Sequence, residues 1–355
     1  MNVLVIGGTL FIGKLLVAEL LKAGHQVTIF HRKPGHPFGK RVTSLVGDRN
    51  DTESIRRAIA GGRFEVIFDN VYDWQRGTTA RHVEAAAHAC TDRLTRYIFL
   101  SSVAAYADGL NHHEGDALAP DDHPDAYVRN KAQTERMLFR LHQRNRFPAV
   151  TFRPPFVYGP GNPFYREAFF WDRMRDKRPI IIPGDGRRLM QFVYVKDLVR
   201  ALIQAMTVPA AVGEAFNIGN QRPVTQVELV EALARAAGKT PELVRVPRER
   251  ILAAGGNPMG QPAYFGVYYD LPPITEVVGK IKRILGIVPA EFDTGLRETY
   301  RWYLRQKRSA PDYSFEDRLL AGARSAAESE RLAGSSTTST ARRSPPIVSA
   351  PATVR

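Results

Sequence analysis

Short apolar segments alternate with helical segments over the first 152 residues, and this alternation restricts the fold more than any other feature. Residues 2–6 form an apolar, β-branched run, and from residue 11 apolar side chains recur at helical spacing. The further predicted strands are 26–30, 42–46, 66–69, 97–100 and 149–152, and the further predicted helices are 52–60, 79–89 and 127–145. Strands that alternate with helices predict an α/β protein with a doubly wound parallel sheet.

The second half of the chain is less regular than the first. Six prolines interrupt residues 154–183, which predicts a smaller C-terminal cap that binds the substrate. We predict a Rossmann-type domain at 1–158 plus about 190–220, and a cap at about 159–189 and 221–306. Residues 307–355 form a tail that we expect to be largely disordered from about 325, because Ser, Thr, Arg and Pro dominate there.

The composition is that of a globular protein with an excess of positive charge. Fifty basic and 36 acidic residues give a net charge of +14, which is compatible with a polyanionic partner. The basic residues are scattered, however, so a basic solvated surface is the simpler interpretation. The single cysteine, Cys90, excludes an internal disulfide and a multi-cysteine metal site. We expect no membrane span and, since the first residues lack a basic leader, a cytoplasmic location.

A glycine-rich turn joins the first predicted strand to the first predicted helix. Residues 7–13 read Gly-Gly-Thr-Leu-Phe-Ile-Gly. A tight glycine turn at this place lets backbone N–H groups approach a pyrophosphate at the positive end of the helix. The alternative is a structural strand–helix turn. We favour nucleotide binding.

The residues after the second strand predict which nucleotide binds. An acid there accepts a hydrogen bond from the ribose 2′-OH of NAD, whereas an arginine pairs with the 2′-phosphate of NADP. Arg32 and Lys33 follow His31, so NADP is favoured over NAD unless both are exposed loop charges. Asp48, at the end of the third strand, is placed to accept from the adenine amino group. The residues predicted to contact the cofactor are Gly7, Thr9, Leu10, Phe11, Ile12, Gly13, Arg32, Lys33, Asp48, Arg49, Asn70, Lys131 and Pro154.

Tyr127 and Lys131 lie four residues apart on a predicted helix and therefore share a face. An ammonium group beside a tyrosine hydroxyl stabilises the phenolate and makes it a usable acid/base. The spacing alone means little, because a second copy begins at Tyr303. Ser102, at the end of a strand 25 residues before Tyr127, distinguishes the two copies, since ligands bind at the carboxyl ends of parallel strands.

These motifs resemble the extended short-chain dehydrogenase/reductases, the NAD-dependent epimerase/dehydratase group. The resemblance covers residues 1–306. Further segments similar to that family are 153–161, 184–186, 192–198, 216–219 and 296–303. The resemblance implies that Tyr127 is the general acid/base, that Lys131 lowers its pKa and holds the nicotinamide ribose, and that Ser102 binds the reacting oxygen. It also suggests a homodimer.

The chain departs from the family pattern at several positions. Leu10 replaces the middle glycine of the turn, and Val103 follows Ser102 where dehydratases carry an acid pair, so dehydration is not expected. Gln191 stands in a segment where many family members hold a diphosphate with arginine, and Arg187 is a possible substitute. The residues predicted to contact the substrate are Ser102, Tyr127, Tyr158, Arg187 and Gln191. We expect no metal site, because the acid and histidine residues at 112–116 lie on one polar loop.

Two functions follow from the sequence. The first is an NAD(P)-dependent oxidoreductase or epimerase that acts on a secondary alcohol or ketone of a sugar-like or nucleotide-sugar-like small molecule. The alternative is an atypical family member, similar to the chloroplast stem-loop RNA-binding proteins, that binds RNA or senses nucleotides. Such proteins tend to lack the catalytic tyrosine, and Tyr127 is present, so the enzyme is favoured.

Overall fold

A seven-stranded parallel sheet forms the centre of the molecule. The computed structural model describes residues 1–256 and 269–321. The strands are β1 (Asn2–Ile6), β2 (Gln26–His31), β3 (Thr43–Val46), β4 (Val66–Asp69), β5 (Arg96–Leu100), β6 (Gly109–His112), β7 (Ala149–Arg153), β8 (Phe156–Tyr158), β9 (Ile180–Pro183), β10 (Leu189–Met190), β11 (Phe192–Tyr194), β12 (Glu214–Asn217), β13 (Val224–Thr225), β14 (Leu243–Val246) and β15 (Ile274–Glu276). The helices are α1 (Phe11–Lys22), α2 (Thr52–Ala60), α3 (Ala80–His88), α4 (Ala126–Asn145), α5 (Glu167–Arg175), α6 (Val195–Gln204), α7 (Gln226–Ala237), α8 (Arg248–Ala253), α9 (Gly279–Leu285) and α10 (Phe292–Tyr303).

The strand order reverses at the middle of the sheet. The order is β3-β2-β1-β4-β5-β7-β12, and every pair in it is parallel. The chain builds one half from β1 outward and then crosses to β4 to build the other half. Ile6 at the end of β1 therefore has Phe30 of β2 on one side and Asp69 of β4 on the other. A crevice opens at such a point, outside the carboxyl ends of the two central strands.

Both faces of the sheet are buried, which explains why its strands are almost continuously apolar. Val3 and Val5 point into one core cluster, which includes Leu16 of α1, while Leu4 and Ile6 point into the opposite cluster. The first cluster also includes side chains from α6 and α9, and the second includes side chains from α2, α3 and α4. The doubly wound fold predicted from the sequence is confirmed.

A second core, rich in aromatic side chains, lies in the cap. Trp171 of α5 is buried there and donates from Nε1 to the carbonyl of Leu233 in α7. Short strand pairs border this core: β9 with β14, and β10 with β13. Phe11 and Ile12 of α1 pack against the same cluster. This second cluster, which we call the cap core, therefore contacts the helix that begins at the glycine turn. The bounds of the two domains stay a prediction.

Residues 308–321 dock on the cap, although the sequence placed them in the tail. Residues 314–321 are helical, and Phe315 and Leu319 are buried in the cap core. A buried ion pair joins Arg173 to Glu316, and the partly exposed Arg308 pairs with the buried Asp172. The part of the tail expected to be disordered, from about 325, lies outside the described residues.

Candidate nucleotide-binding and catalytic site

The glycine turn after β1 lies at the point where the strand order reverses. Gly7 has a φ of +89°, which favours glycine, and a Cβ on Gly13 would overlap the carbonyl oxygen of Gly7. Leu10 is the N-cap of α1, is 62 % exposed and makes no side-chain cap. The first turn of α1 also contains no acidic residue. The positive helix end is therefore left for an anion, and the cofactor contacts of residues 7–13 stay a prediction.

Phe11 begins α1 with unusual backbone geometry. Its φ is +40°, a value that bulky side chains rarely adopt. Its side chain packs against the cap core, so the turn and the cap meet at this residue. Thr9 and Ile12 beside it are half-buried.

Asn70, directly after β4, borders the same crevice. Both polar atoms of its side-chain amide are buried without a hydrogen-bond partner among the described residues. Its neighbour Val71 packs so closely on Gly7 that a Cβ on that glycine would overlap it. Buried amides in proteins are almost always paired. An orphaned amide beside a helix N-terminus fits a polar ligand in the crevice.

Charged side chains form a cluster above the ends of β2, β3 and β4. Nη1 of Arg32 lies 3.2 Å from Oδ2 of Asp73, and Nη2 of Arg76 lies 2.6 Å from carboxylate oxygens of both Asp48 and Asp73. Hydrogen bonds from Arg76 lower the pKa of Asp73 to about 2. Lys33 is exposed beside this cluster. Arg32 and Asp48 thus have protein partners in addition to any nucleotide.

The side chain of Arg49 is bound to other groups of the protein. Its guanidinium is buried and forms two hydrogen bonds with Asp69, of 3.0 and 2.5 Å, and a third with the carbonyl of His82. The hydroxyl of Tyr97 donates to Asp69 as well, at 2.7 Å. We correct the prediction for Arg49: it holds the end of β4 beneath the crevice.

Tyr127 and Lys131 lie on the first two turns of α4, against the end of β5. The Asp125 side chain caps the helix by accepting from the backbone N–H of Tyr127 at 2.7 Å. Nζ of Lys131 donates to the carbonyl of Leu100 at 2.6 Å and lies 5.7 Å from the centre of the Tyr127 ring. Burial lowers the pKa of Lys131 to about 8. Ser102, two residues after Leu100, is buried.

Ser102 also has a local structural role. Its Oγ accepts from the N–H of Ala104 at 3.2 Å and caps a short 3₁₀ helix, Val103–Tyr106. The N–H of Val103 donates to the carbonyl of Pro154 at 3.1 Å, which ties this segment to the end of β7. Ser102 and Pro154 therefore lie at the ends of the adjacent strands β5 and β7.

A buried carboxylate that the sequence analysis missed attaches α4 to the sheet. Glu135 is two turns beyond Tyr127 and fully buried. It accepts from the hydroxyl of Ser101 at 2.5 Å and from that of Thr151 at 2.9 Å, and it pairs with Arg153 at 2.8 Å. Glu135 follows Lys131 by four residues, so the sequence already places both side chains on the same face of the helix.

Two residues predicted to contact the substrate are used within the protein. Tyr158 is fully buried in the aromatic cap core, and its hydroxyl points to the carbonyl of Phe292 at 3.4 Å. The amide of Gln191 is buried and bonds to backbone groups of Asn220 and Glu276 at 2.8 to 3.0 Å. We correct both predictions, because Tyr158 is enclosed in the aromatic core and Gln191 joins the backbone segments of Asn220 and Glu276. Arg187 is exposed at the surface.

The polar loop at 112–116 is held by internal contacts. The ring of His112 stacks on Tyr106 at 4.3 Å, and its Nε2 lies 2.6 Å from the carbonyl of Asp108. Among residues 1–256 and 269–321, no group of three or more His, Cys, Asp or Glu side chains is arranged to hold a metal ion. In the same ranges, no helix is long and apolar enough to cross a membrane.

This chain is similar to known proteins along most of its length. A sequence model described as "NAD dependent epimerase/dehydratase family" matches residues 3–219. The chloroplast stem-loop binding protein of 41 kDa b from Arabidopsis thaliana is 31 % identical over 342 residues, covering 90 % of this chain and 84 % of that protein. A dTDP-glucose 4,6-dehydratase from Actinoplanes sp. is 26 % identical over 345 residues, covering 87 % and 99 %.

Solved structures share the fold. The crystal structure of dTDP-glucose 4,6-dehydratase from Bacillus anthracis in complex with NAD superposes with a TM-score of 0.67, covering 86 % of this chain and 97 % of that one. Its sequence identity is 20 %, so this likeness is one of fold. The family resemblance stated from the sequence motifs is confirmed by the family match and the relatives.

Proposed function

We propose, since this chain belongs to the NAD-dependent epimerase/dehydratase family and is an enzyme of the short-chain dehydrogenase/reductase type, that it oxidises, reduces or epimerises a secondary alcohol or ketone on a sugar-like or nucleotide-sugar-like molecule. One observation carries this proposal. Tyr127, Lys131 and the segment of Ser102 meet at the carboxyl end of β5, beside a crevice that contains the unpaired amide of Asn70.

The protein's part of the reaction is proton transfer. When bound, the nicotinamide nucleotide supplies the hydride chemistry. The Tyr127 phenolate takes the proton from the substrate hydroxyl as a carbonyl forms, and the resulting Tyr127 hydroxyl returns that proton in the opposite direction. The positive charge of Lys131 nearby favours the phenolate form of Tyr127. The Ser102 hydroxyl donates a hydrogen bond to the reacting oxygen, where negative charge develops.

The residues present fit a dinucleotide. The uncapped N-terminus of α1 would hold the pyrophosphate, beside a turn packed so closely that a Cβ on Gly13 would overlap the carbonyl oxygen of Gly7. The amide of Asn70 would gain the polar partner that it lacks. Lys131 would hold the nicotinamide ribose. We leave Arg49 out of this set, because its guanidinium is committed to Asp69.

For the nucleotide itself we retain NADP as the favoured form over NAD. Arg32, Lys33 and Arg76 carry three positive charges against the two carboxylates of Asp48 and Asp73, which leaves an excess of one positive charge. The Arg32 side chain is 59 % exposed and accessible to a phosphate. A ratio of kcat/KM that favours NAD would overturn this preference.

The second Tyr-x-x-x-Lys copy provides a matched control for the test. Tyr127→Phe and Tyr303→Phe each remove one hydroxyl, but Tyr303 lies in the cap core. Turnover of dTDP-glucose, UDP-glucose and simple cyclic secondary alcohols is assayed with NAD and NADP. We expect Tyr127→Phe to lower kcat by at least about a hundredfold, the size of a general acid/base contribution. Equal turnover by wild type and Tyr127→Phe would refute the role of Tyr127.

Nucleotide retention distinguishes an epimerase from a reductase. An epimerase regenerates its nicotinamide in every turnover and retains it through purification, whereas a reductase exchanges it. Mass spectrometry of the nucleotide released from gently purified protein separates these cases and identifies NAD or NADP in the same experiment.

RNA binding is the second candidate, and the Arabidopsis relative is the observation that supports it. That protein is a stem-loop binding protein by name and is 31 % identical to this chain, whose net charge is +14. Such binding would weaken steeply with salt, because phosphate contacts release counterions. Retention on a stem-loop RNA that Tyr127→Phe leaves unchanged, together with absent turnover, would favour it over the enzyme.

A further inference from the structure

An exposed tryptophan lies on the proposed catalytic tyrosine. The indole of Trp74, in the loop after β4, stacks on the ring of Tyr127 with centroids 4.7 Å apart and planes 25° apart. Tyr72 meets both rings edge-on, at 5.2 Å from Trp74 and 4.7 Å from Tyr127. Trp74 nevertheless remains 58 % exposed.

The loop holds Trp74 in place on both sides. Oδ1 of Asp73 accepts from the backbone N–H groups of Gln75 and Arg76 at 3.0 Å, so its side chain closes a tight turn around Trp74. The N–H of Asp73 donates to Oγ1 of Thr78, also at 3.0 Å. Both Asp73 and Thr78 are buried. The indole is therefore presented to Tyr127 from a fixed backbone.

A second pair of hydrogen bonds joins the same loop to the segment between β3 and α2 and to α4. The side-chain amide of Asn50 donates to the carbonyl of Gly77 at 2.7 Å. The amide of Asn130, on α4 between Tyr127 and Lys131, donates to the hydroxyl of Tyr72 at 3.1 Å. The two rings that contact Tyr127 are thus fixed relative to the helix that carries it.

We propose that Trp74 is a positioning residue for Tyr127: it holds the phenol ring in the orientation in which the hydroxyl exchanges a proton with the substrate. The ring contacts carry this assignment. Rotation of the Tyr127 ring away from the crevice would break its stack on Trp74 and its edge contact with Tyr72, so both contacts narrow the orientations open to the phenol. The inference rests on the proposed function, because it needs Tyr127 to be the acid/base.

Trp74→Ala and Trp74→Phe test this role in the full chain. Trp74→Ala removes the stack, and we expect kcat to fall about tenfold while KM changes less than about threefold, as the loss of aromatic pairs of ordinary strength predicts. Trp74→Phe keeps an aromatic ring against Tyr127 and should recover kcat to within about threefold of wild type. Trp302, a half-buried tryptophan against the cap core, supplies the control: Trp302→Phe should leave kcat unchanged.

Two results separate positioning from other roles. In a Tyr127→Phe background, Trp74→Ala should slow residual turnover no further, because it acts through the hydroxyl of Tyr127. A further tenfold loss in that background, or a higher KM at unchanged kcat, would overturn the proposal, since Trp74 would then act independently or contact the substrate.

Circular dichroism tests the contact between Trp74 and Tyr127 without any substrate, and therefore independently of the proposed enzyme activity. The stacked indole and phenol should contribute a near-ultraviolet circular dichroism band that is lost in Trp74→Ala and changed in Tyr127→Phe, with non-additive effects in the double variant. Additive effects would overturn the stack whether or not any substrate is turned over. If the stack is present but no substrate is turned over in the wild type, the proposed function fails, and the positioning role fails with it.

Discussion

Burial of Lys131 predicts that the protein becomes more stable as the pH rises above about 8. Its side chain is 5 % exposed, and burial lowers the pKa of the ammonium from 10.5 to about 8, although Asp69 and Glu135 act in the opposite direction. The unfolded chain keeps the higher pKa and therefore binds more protons between these two values, so the free energy of unfolding rises with pH across that window. At about 1.4 kcal/mol for each pH unit, the buried charge costs about 3 kcal/mol at neutral pH.

Urea unfolding of nucleotide-free protein at about pH 7 and about pH 10 measures this effect. Lys131→Met, which keeps the length of the side chain without its charge, is the reference. Both proteins also carry Tyr127→Phe, because Lys131 favours the phenolate form of Tyr127. The other tyrosines that titrate near the upper pH affect both proteins equally, so the difference isolates Lys131. We expect the protein that keeps Lys131 to gain about 2.5 kcal/mol relative to the variant between the two pH values. An identical pH response in both proteins would refute the assignment of a buried ammonium.

Further predictions concern two charged residues near the crevice. Arg49→Met should lower the free energy of unfolding by about 3–5 kcal/mol, because it leaves the Asp69 carboxylate buried beside Tyr97 without its cation. Urea unfolding measures this loss, and the double variant Arg49→Met with Asp69→Asn should recover part of it. Arg32→Ala should raise the KM for NADP at least about tenfold while leaving that for NAD within about threefold, because only NADP carries the 2′-phosphate. Steady-state kinetics with both nucleotides measures this, and an equal rise for both would contradict it.

Local patterns in the sequence were sufficient for six of the seven strands of the sheet, all except β12, and for the motifs beside them. The apolar run at 2–6, its glycine turn and the helical spacing that follows are set by neighbouring residues, so they predict β1, the turn and α1 directly. The pairing of Tyr127 with Lys131 is equally local, since one helix face fixes it. The choice between the copies at Tyr127 and Tyr303 needed only the knowledge that ligands bind at the ends of parallel strands.

The errors concern side chains whose partners are distant in the sequence. Arg49 binds Asp69, 20 residues away, and Gln191 bonds to the backbone of Glu276, 85 residues away. Neither partner is visible in a local pattern, so the sequence alone does not show that these two side chains are bound within the protein. Trp74 was missed for the same reason, because its stack on Tyr127 joins a loop to a helix that begins more than 50 residues later.

The central claim is that the crevice between β1 and β4 is a nicotinamide nucleotide site. Equilibrium binding of NADH and NADPH to nucleotide-free protein tests this claim most directly. Enhancement of the nicotinamide fluorescence reports binding without any knowledge of the substrate. Wild type and Tyr127→Phe should bind at least one of the two nucleotides with equal affinity. Gly13→Leu should lose binding, because its Cβ would overlap the carbonyl oxygen of Gly7 and displace the turn that holds the nucleotide. Absence of binding by the wild type, or undiminished binding by folded Gly13→Leu, would contradict the account.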